Sequence, residues 1–160
     1  MRSFLLIMSV AIVLVLTIPI QAKIIVPNDY PTIQQAINAA SPGETIVIKD
    51  GTYTENVKVN KSVTIISENG SANCIVQAAS NDHVFEIAVD NVTISGFTIK
   101  GATSYAGVYI KANSTTIQDV KAENNYYGIK LEGRDNAILD CNLTFDGYGI
   151  YFLYSSNNNC

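Results

Sequence analysis

The sequence predicts an all-β solenoid: a parallel β-helix of three short strands per coil of 21–23 residues, closed by an N-terminal capping helix. Three observations predict it. Phe85-Glu86-Ile87, Val108-Tyr109-Ile110, Ile129-Lys130-Leu131 and Ile150-Tyr151-Phe152 recur at steps of 23, 21 and 21 residues. A second column (Ile94, Ile117, Ile138) and a third (Phe97/Ile99, Val120/Ala122, Cys141/Leu143) keep the same register. Gly107, Gly128 and Gly149 stand directly before three of the four first strands. Such a period, with fixed turn positions, is one coil of a stacked helix. Each coil buries its apolar columns only against the next, about 4.8 Å away. A leucine-rich repeat has a similar period but needs an L-x-x-L-x-L consensus. An antiparallel sandwich would not hold register at a 21-residue step.

The elements follow in order. Residues 1–22 read as a signal peptide: Met1-Arg2 is a short positive start, an apolar run follows, and Ala22 precedes Lys23. A signal anchor is the competing reading, in which residues 3–20 would be the one membrane contact; Pro19 and Gln21 favour cleavage. The β-helix domain is then 23–160, with its cap at about 23–43. Lys23-Ile24-Ile25-Val26 forms a first strand. Pro31 to Ala40 forms the helix, with Ile33, Ala36, Ile37 and Ala40 on one face and Ser41-Pro42-Gly43 as its stop. Thr45-Ile46-Val47-Ile48, Val57-Lys58-Val59, Val63-Thr64-Ile65-Ile66, Val92-Thr93-Ile94 and Phe97-Thr98-Ile99 are strands between Asn-, Gly-, Asp- and Ser-bearing turns. Stacked amides in turns such as Ser155-Ser156-Asn157-Asn158-Asn159 fit a ladder. The reading gives roughly five coils, with Cys160 in the inward column of Ile138. It also predicts truncation at the C-terminus, the open edge there being covered by missing coils or by a capping partner chain.

Composition excludes several functions. Without residues 1–22 the chain carries 9 basic and 14 acidic side chains, a net charge of −5. Scattered acidic charge offers no basic face for nucleic acid. One His, and no Met beyond the leader, argue against a catalytic zinc or thioether copper site. The three cysteines, Cys74, Cys141 and Cys160, lack C-x-x-C spacing and read as small core hydrophobes.

The run Asp29-Tyr30-Pro31-Thr32-Ile33-Gln34-Gln35-Ala36-Ile37, then Gly43-Glu44-Thr45-Ile46-Val47-Ile48, then Gly51-Thr52-Tyr53-Thr54-Glu55 resembles the cap and first coil of pectin-lyase-like right-handed β-helix proteins. The later coils, with Gly128-Ile129-Lys130-Leu131 and Ser155-Ser156-Asn157-Asn158, resemble the NosD-like branch of periplasmic copper-binding and surface carbohydrate-binding repeat proteins. The resemblance spans residues 24–160 and implies a right-handed solenoid whose outward side chains carry any activity. The paired Asp segments of pectin methylesterases are missing, as are the Asn-Thr-Asp and Gly-His-Gly motifs of polygalacturonases. Asn81-Asp82-His83 is the nearest match to the Asp-His motif of pectate lyases, and His83 reads as a turn residue. The Gly51-x-Tyr53-x-Glu55 segment is structural in pectin methylesterases. Without a His or Met cluster, the copper role is not carried over.

The candidate site residues lie on outward columns. Seven of nine tyrosines fall between 105 and 154. Tyr105 and Tyr126 are 21 apart, as are Tyr127 and Tyr148, and Tyr109, Lys130 and Tyr151 form a column on the first-strand face. Stacked exposed aromatics with a cation between them suit sugar rings; they also suit a purely stabilising ladder. Asp119 and Asp140, 21 apart, are a candidate calcium pair, although calcium needs six to eight oxygen ligands. Lys111 and Glu132 are expected to form a cross-coil ion pair. Five sequons, at Asn60, Asn69, Asn91, Asn113 and Asn142, are glycosylation candidates of a motif that Asn-rich chains also produce by chance. The predicted function is a secreted or cell-surface, non-catalytic β-helix that binds a polysaccharide or glycoprotein glycan, or has a structural role in the envelope. The alternative is the front part of a polysaccharide lyase or hydrolase whose catalytic coils follow Cys160.

Overall fold

A computed structural model describes residues 23–160; the predicted leader lies outside them. In chain order the elements are β1 (Lys23–Val26), α1 (Ile33–Ala39), β2 (Thr45–Ile48), β3 (Gly51–Thr54), β4 (Val57–Val59), β5 (Thr64–Ser67), β6 (Cys74–Gln77), β7 (Phe85–Ile87), β8 (Thr93–Ser95) and β9 (Thr98–Lys100). They continue with β10 (Ala106–Ile110), β11 (Thr116–Gln118), β12 (Lys121–Glu123), β13 (Tyr127–Leu131), β14 (Ala137–Leu139), β15 (Asn142–Thr144) and β16 (Tyr148–Phe152). Every pairing is parallel and joins strands one coil apart. Sheet I is β4-β7-β10-β13-β16, sheet II is β1-β2-β5-β8-β11-β14, and sheet III is β3-β6-β9-β12-β15.

The repeat columns are the register of these sheets. Phe85, Val108, Ile129 and Ile150 align in sheet I. Ile94, Ile117 and Ile138 align in sheet II, and Ile99, Ala122 and Leu143 in sheet III. Equal steps align equal positions because a parallel ladder pairs each residue with its copy in the next coil. These inward side chains form one continuous core, from Val26 and Ile33 at the cap to Leu131 and Ile138.

The first strand falls where the sequence placed it. β1 pairs with β2, Lys23 opposite Thr45 and Val26 opposite Ile48, so it is the first rung of sheet II and that sheet has six rungs against five in the others. The helix starts two residues late. Thr32 is extended (φ −131°) and its hydroxyl accepts the Gln35 N–H at 3.2 Å, which makes it the N-cap and leaves Pro31 outside. Ile33, Ala36 and Ile37 are fully buried over the end of the coil. The Glu55 carboxylate accepts the Ile33 and Gln34 N–H groups at 3.0 and 3.1 Å. It thereby satisfies two orphan donors at the helix start, while the Tyr53 hydroxyl donates to the Lys49 carbonyl at 3.0 Å. Glu55 thus ties the first coil to its cap, and Tyr53 braces the corner between β2 and β3.

Between sheets II and III the chain turns on single left-handed residues: Gly96 (φ 82°), Asp119 (φ 49°) and Asp140 (φ 52°). Asp and Asn tolerate this backbone better than other side-chain-bearing residues do. The corner therefore supplies a conformational reason for the two aspartates.

The cysteines divide. Cys74 is fully buried and its thiol is pushed up to about 12, first by burial and then by the Asp50 charge. Cys141 is half-buried, whereas Cys160 is exposed, contrary to the expectation that all three are core residues. Ala137 bridges Asn159, so Cys160 does fall in the column of Ile138, although it is exposed.

Candidate ligand-binding face

The outward column of sheet I reads Lys58, Glu86, Tyr109, Lys130 and Tyr151, each opposite the next in the ladder. Tyr109 sits at its centre and is only 8% exposed. The His83 ring lies 4.5 Å from the Tyr109 ring, and the Lys111 and Lys130 ammonium groups lie 4.7 and 4.4 Å from the Tyr109 centroid. The Tyr109 hydroxyl donates to Glu132 Oε1 at 2.6 Å. Burial, followed by this carboxylate, drives the phenol well above its ordinary range, so it stays a neutral donor. Tyr109 is therefore a covered structural ring and not the exposed stacking surface that the column predicted.

The ion pairs also differ from expectation. Lys111 reaches back one coil to Glu86 (2.6 Å), which Lys58 approaches at 3.9 Å. Glu132 is held by Lys130 (3.4 Å) and by the Tyr109 hydroxyl. The predicted Lys111–Glu132 pair does not form, because both groups have nearer partners. His83 is more than a turn residue. Its Nδ1 accepts the Ala106 N–H at 3.0 Å, and its ring packs on Tyr105 edge to face at 5.1 Å. Burial lowers the imidazole pKa against the opposing pull of Asp82 and Glu86.

Of the predicted tyrosines, Tyr105, Tyr126, Tyr148 and Tyr151 are exposed, between 37% and 52% accessible. Tyr127 is half-buried beneath them. Tyr127 stacks on Tyr148 with centroids 5.4 Å apart and planes 27° apart, and it lies 4.9 Å from Tyr151. Tyr126 meets Tyr127 and Tyr148 edge to face at 4.7 and 5.7 Å. Four of the predicted residues thus form one aromatic surface across β13, β16 and the corners before them. Tyr105 follows the register through its backbone, its carbonyl accepting the Tyr126 N–H at 3.1 Å, but its ring turns to His83.

Two residues that the sequence reading missed pin this surface. Asn125 is 4% exposed; its Oδ1 accepts the Ala102 N–H at 3.0 Å and its Nδ2 donates to the Ile99 carbonyl at 3.2 Å. Asp146 stands one coil later, and its Oδ1 accepts the Asn125 backbone and side-chain N–H groups at 2.8 and 3.1 Å. Its Oδ2 is buried without a partner, and burial raises the carboxyl pKa. Glycine is required beside both. A Cβ on Gly107 would lie 2.9 Å from Asn125 Nδ2, and one on Gly128 would lie 2.6 Å from Asp146 Oδ2. The signal was available, since Asn125 and Asp146 are themselves 21 apart and flank the tyrosine pairs.

An open depression of about 360 Å³ adjoins this region, lined by Ala79, Ser80, Asn81, Gly101, Thr103 and Ser104 in the corners leading to His83 and Tyr105. A second, of about 340 Å³, lies on sheet III over Ile75 and Thr98, beside the Lys121–Glu123 pair (2.7 Å). For Asp119 and Asp140, no group of three or more His, Cys, Asp or Glu is placed to hold a metal ion among the described residues.

Comparison with known proteins adds the handedness. Residues 106–160 match a family model described as a right handed beta helix region. This chain is a right-handed parallel β-helix. It is similar to a solved pectin methylesterase, crystallised with a hexasaccharide, at 16% identity and a TM-score of 0.61, over 71% of this chain and 45% of that one. It is also similar to a protein called cell surface glycoprotein from Methanothermus fervidus, 37% identical over 109 residues. That match covers 62% of this chain and 18% of the relative, so the chain spans about a fifth of the relative's length.

Proposed function

We propose that this protein is a cell-surface β-helix that binds a polysaccharide or a glycoprotein glycan through the tyrosine surface of Tyr126, Tyr127, Tyr148 and Tyr151, with Tyr105 alongside. The observation that carries the reading is the exposed, mutually packed aromatic cluster on the last two rungs of sheet I. Aromatic faces take the C–H faces of sugar rings, and rings that brace one another keep a fixed shape at low entropic cost. The predicted leader and the surface glycoprotein relative support export. The Gly-Ile-x-Leu and Ser-Ser-Asn-Asn punctuation supports the NosD-like branch without its copper chemistry. The relative's name also favours a second reading, in which the solenoid is a structural element of the envelope.

Binding of the wild type and of Tyr148→Ala/Tyr151→Ala to immobilised polysaccharides tests the proposal. At about 1 kcal/mol per aromatic contact, the double variant loses roughly tenfold or more in affinity while its far-UV circular dichroism stays that of the folded wild type. Equal binding by both proteins, or binding by neither, sinks the glycan reading and leaves the structural one.

A further inference from the structure

The five sequons share a motif but not an environment. N-glycosylation joins the side-chain amide nitrogen to the anomeric carbon of a sugar. The Nδ2 gives up one proton, and the phosphate of a lipid-linked glycosyl phosphate donor leaves with the electrons of the broken C–O bond. The acceptor amide must therefore be reachable, and the finished glycan must have room at the folded surface.

Asn60 is exposed in the corner between β4 and β5, and Asn91 in the corresponding corner between β7 and β8, at φ 60°. The Ser62 hydroxyl donates to the Asp90 carbonyl at 2.7 Å and ties these two corners together. Asn142 points outward from β15, opposite Lys121. None of these three side chains hydrogen-bonds to another group among the described residues. Asn69 is also exposed, but its Nδ2 donates to both carboxylate oxygens of Asp50, at 3.0 and 3.1 Å. Asn113 is half-buried. Its Oδ1 accepts the Arg134 N–H at 3.1 Å and its Nδ2 faces Asp90 at 3.3 and 3.4 Å. The Thr115 of that sequon is fully buried, with its N–H given to Asn136 Oδ1 at 2.9 Å.

We infer that Asn60, Asn91 and Asn142 carry N-linked glycans and that Asn69 and Asn113 stay bare. A sugar on Asn113 would displace rungs of the stacked amide ladder, and one on Asn69 would break its pairing with Asp50. The three open sites occupy the corner after sheet I and the face of sheet III, and leave the tyrosine surface on the last two rungs of sheet I uncovered. The inference rests on the export part of the proposed function and is independent of what the tyrosines bind.

The test expresses the whole chain, residues 1–160, in a host with an N-glycosylation pathway. Cell fractionation reports export, and glycopeptide mass spectrometry reports occupancy at each sequon. The expected result is an exported chain with sugar at Asn60, Asn91 and Asn142 alone. Asn69→Gln then keeps the full glycan mass, and Asn60→Gln/Asn91→Gln/Asn142→Gln loses all of it. An exported chain that is bare, or one with comparable occupancy at Asn69 or Asn113, overturns the assignment and leaves the export reading standing. A chain retained inside the cell overturns both.

Discussion

Replacing Asp146 by Asn is expected to stabilise the protein at neutral pH. Asp146 holds the ladder position that Asn125 holds one coil earlier, with its Oδ1 serving Asn125 as the Asn125 Oδ1 serves Ala102. The second atom differs. Asn125 Nδ2 donates to the Ile99 carbonyl, whereas Asp146 Oδ2 is a buried acceptor with no donor. Ile99 pairs with Ala122, so an amide nitrogen at position 146 meets the Ala122 carbonyl by the same geometry. An unsatisfied buried polar atom costs about 1–3 kcal/mol, and a new hydrogen bond contributes about 0.5–1.5 kcal/mol. Asp146 is half-buried, so the lower half of that span applies. Asp146→Asn should then gain about 1–2 kcal/mol, or roughly 4 °C in melting temperature. The pH dependence carries a definite sign. Burial raises the carboxyl above its ordinary 3.8, so this group's stabilising contribution is complete below that value and fades as pH climbs through the raised one. The gap between variant and wild type therefore widens from pH 4 to pH 7. Urea unfolding of both proteins across that range is the assay. A variant that is neutral or destabilised at pH 7, or a gap independent of pH, refutes the reasoning.

Gly128→Ala places its Cβ 2.6 Å from Asp146 Oδ2 and 2.8 Å from the Gly149 carbonyl, so it should cost about 2–3 kcal/mol. Gly149→Ala, with nothing nearer than 3.8 Å, should be nearly silent; equal losses in urea unfolding would contradict the close-approach account. Glu55→Ala removes the acceptor for two N–H groups at the start of α1 and should cost about 1–2 kcal/mol, visible as faster proteolysis of the cap; unchanged cleavage would show that the cap does not need the carboxylate. His83 should titrate below the ordinary 6.5, because burial outweighs the pull of Asp82 and Glu86. Its contribution to stability is lost as pH falls through 6.5 toward the lowered value, opposite in sign to Asp146. The ring-proton NMR titration of this single histidine checks it, and a midpoint at or above 6.5 would contradict the buried acceptor role.

How far the tyrosine surface could be foreseen depends on how each side chain finds its partner. Tyr127 over Tyr148 was legible because both obey the ladder, and a planar ring on a pleated strand has few other directions to take. Tyr105 and Tyr109 were not, because His83, from the coil before, offers a partner that no 21-residue step reveals. Lys111 and Glu132 escaped for a related reason. A long flexible side chain reaches across two rows of the sheet, and the strongest local donor or acceptor wins over the directly opposite one.

By itself the sequence determined the period, the three strand columns, the capping helix and the outward placement of the tyrosines. In a parallel solenoid, identical positions must stack to pair their backbones and bury their apolar side chains. The tertiary structure alone decided which of those outward groups stay accessible. It covered Tyr109 with His83 and two lysines, turned Tyr105 aside, set Asp119 and Asp140 at left-handed corners, and closed the amides of Asn69 and Asn113 while leaving Asn60, Asn91 and Asn142 open. Accessibility depends on side chains of neighbouring coils whose hydrogen bonds and ring contacts run across the repeat, and periodicity carries no information about them.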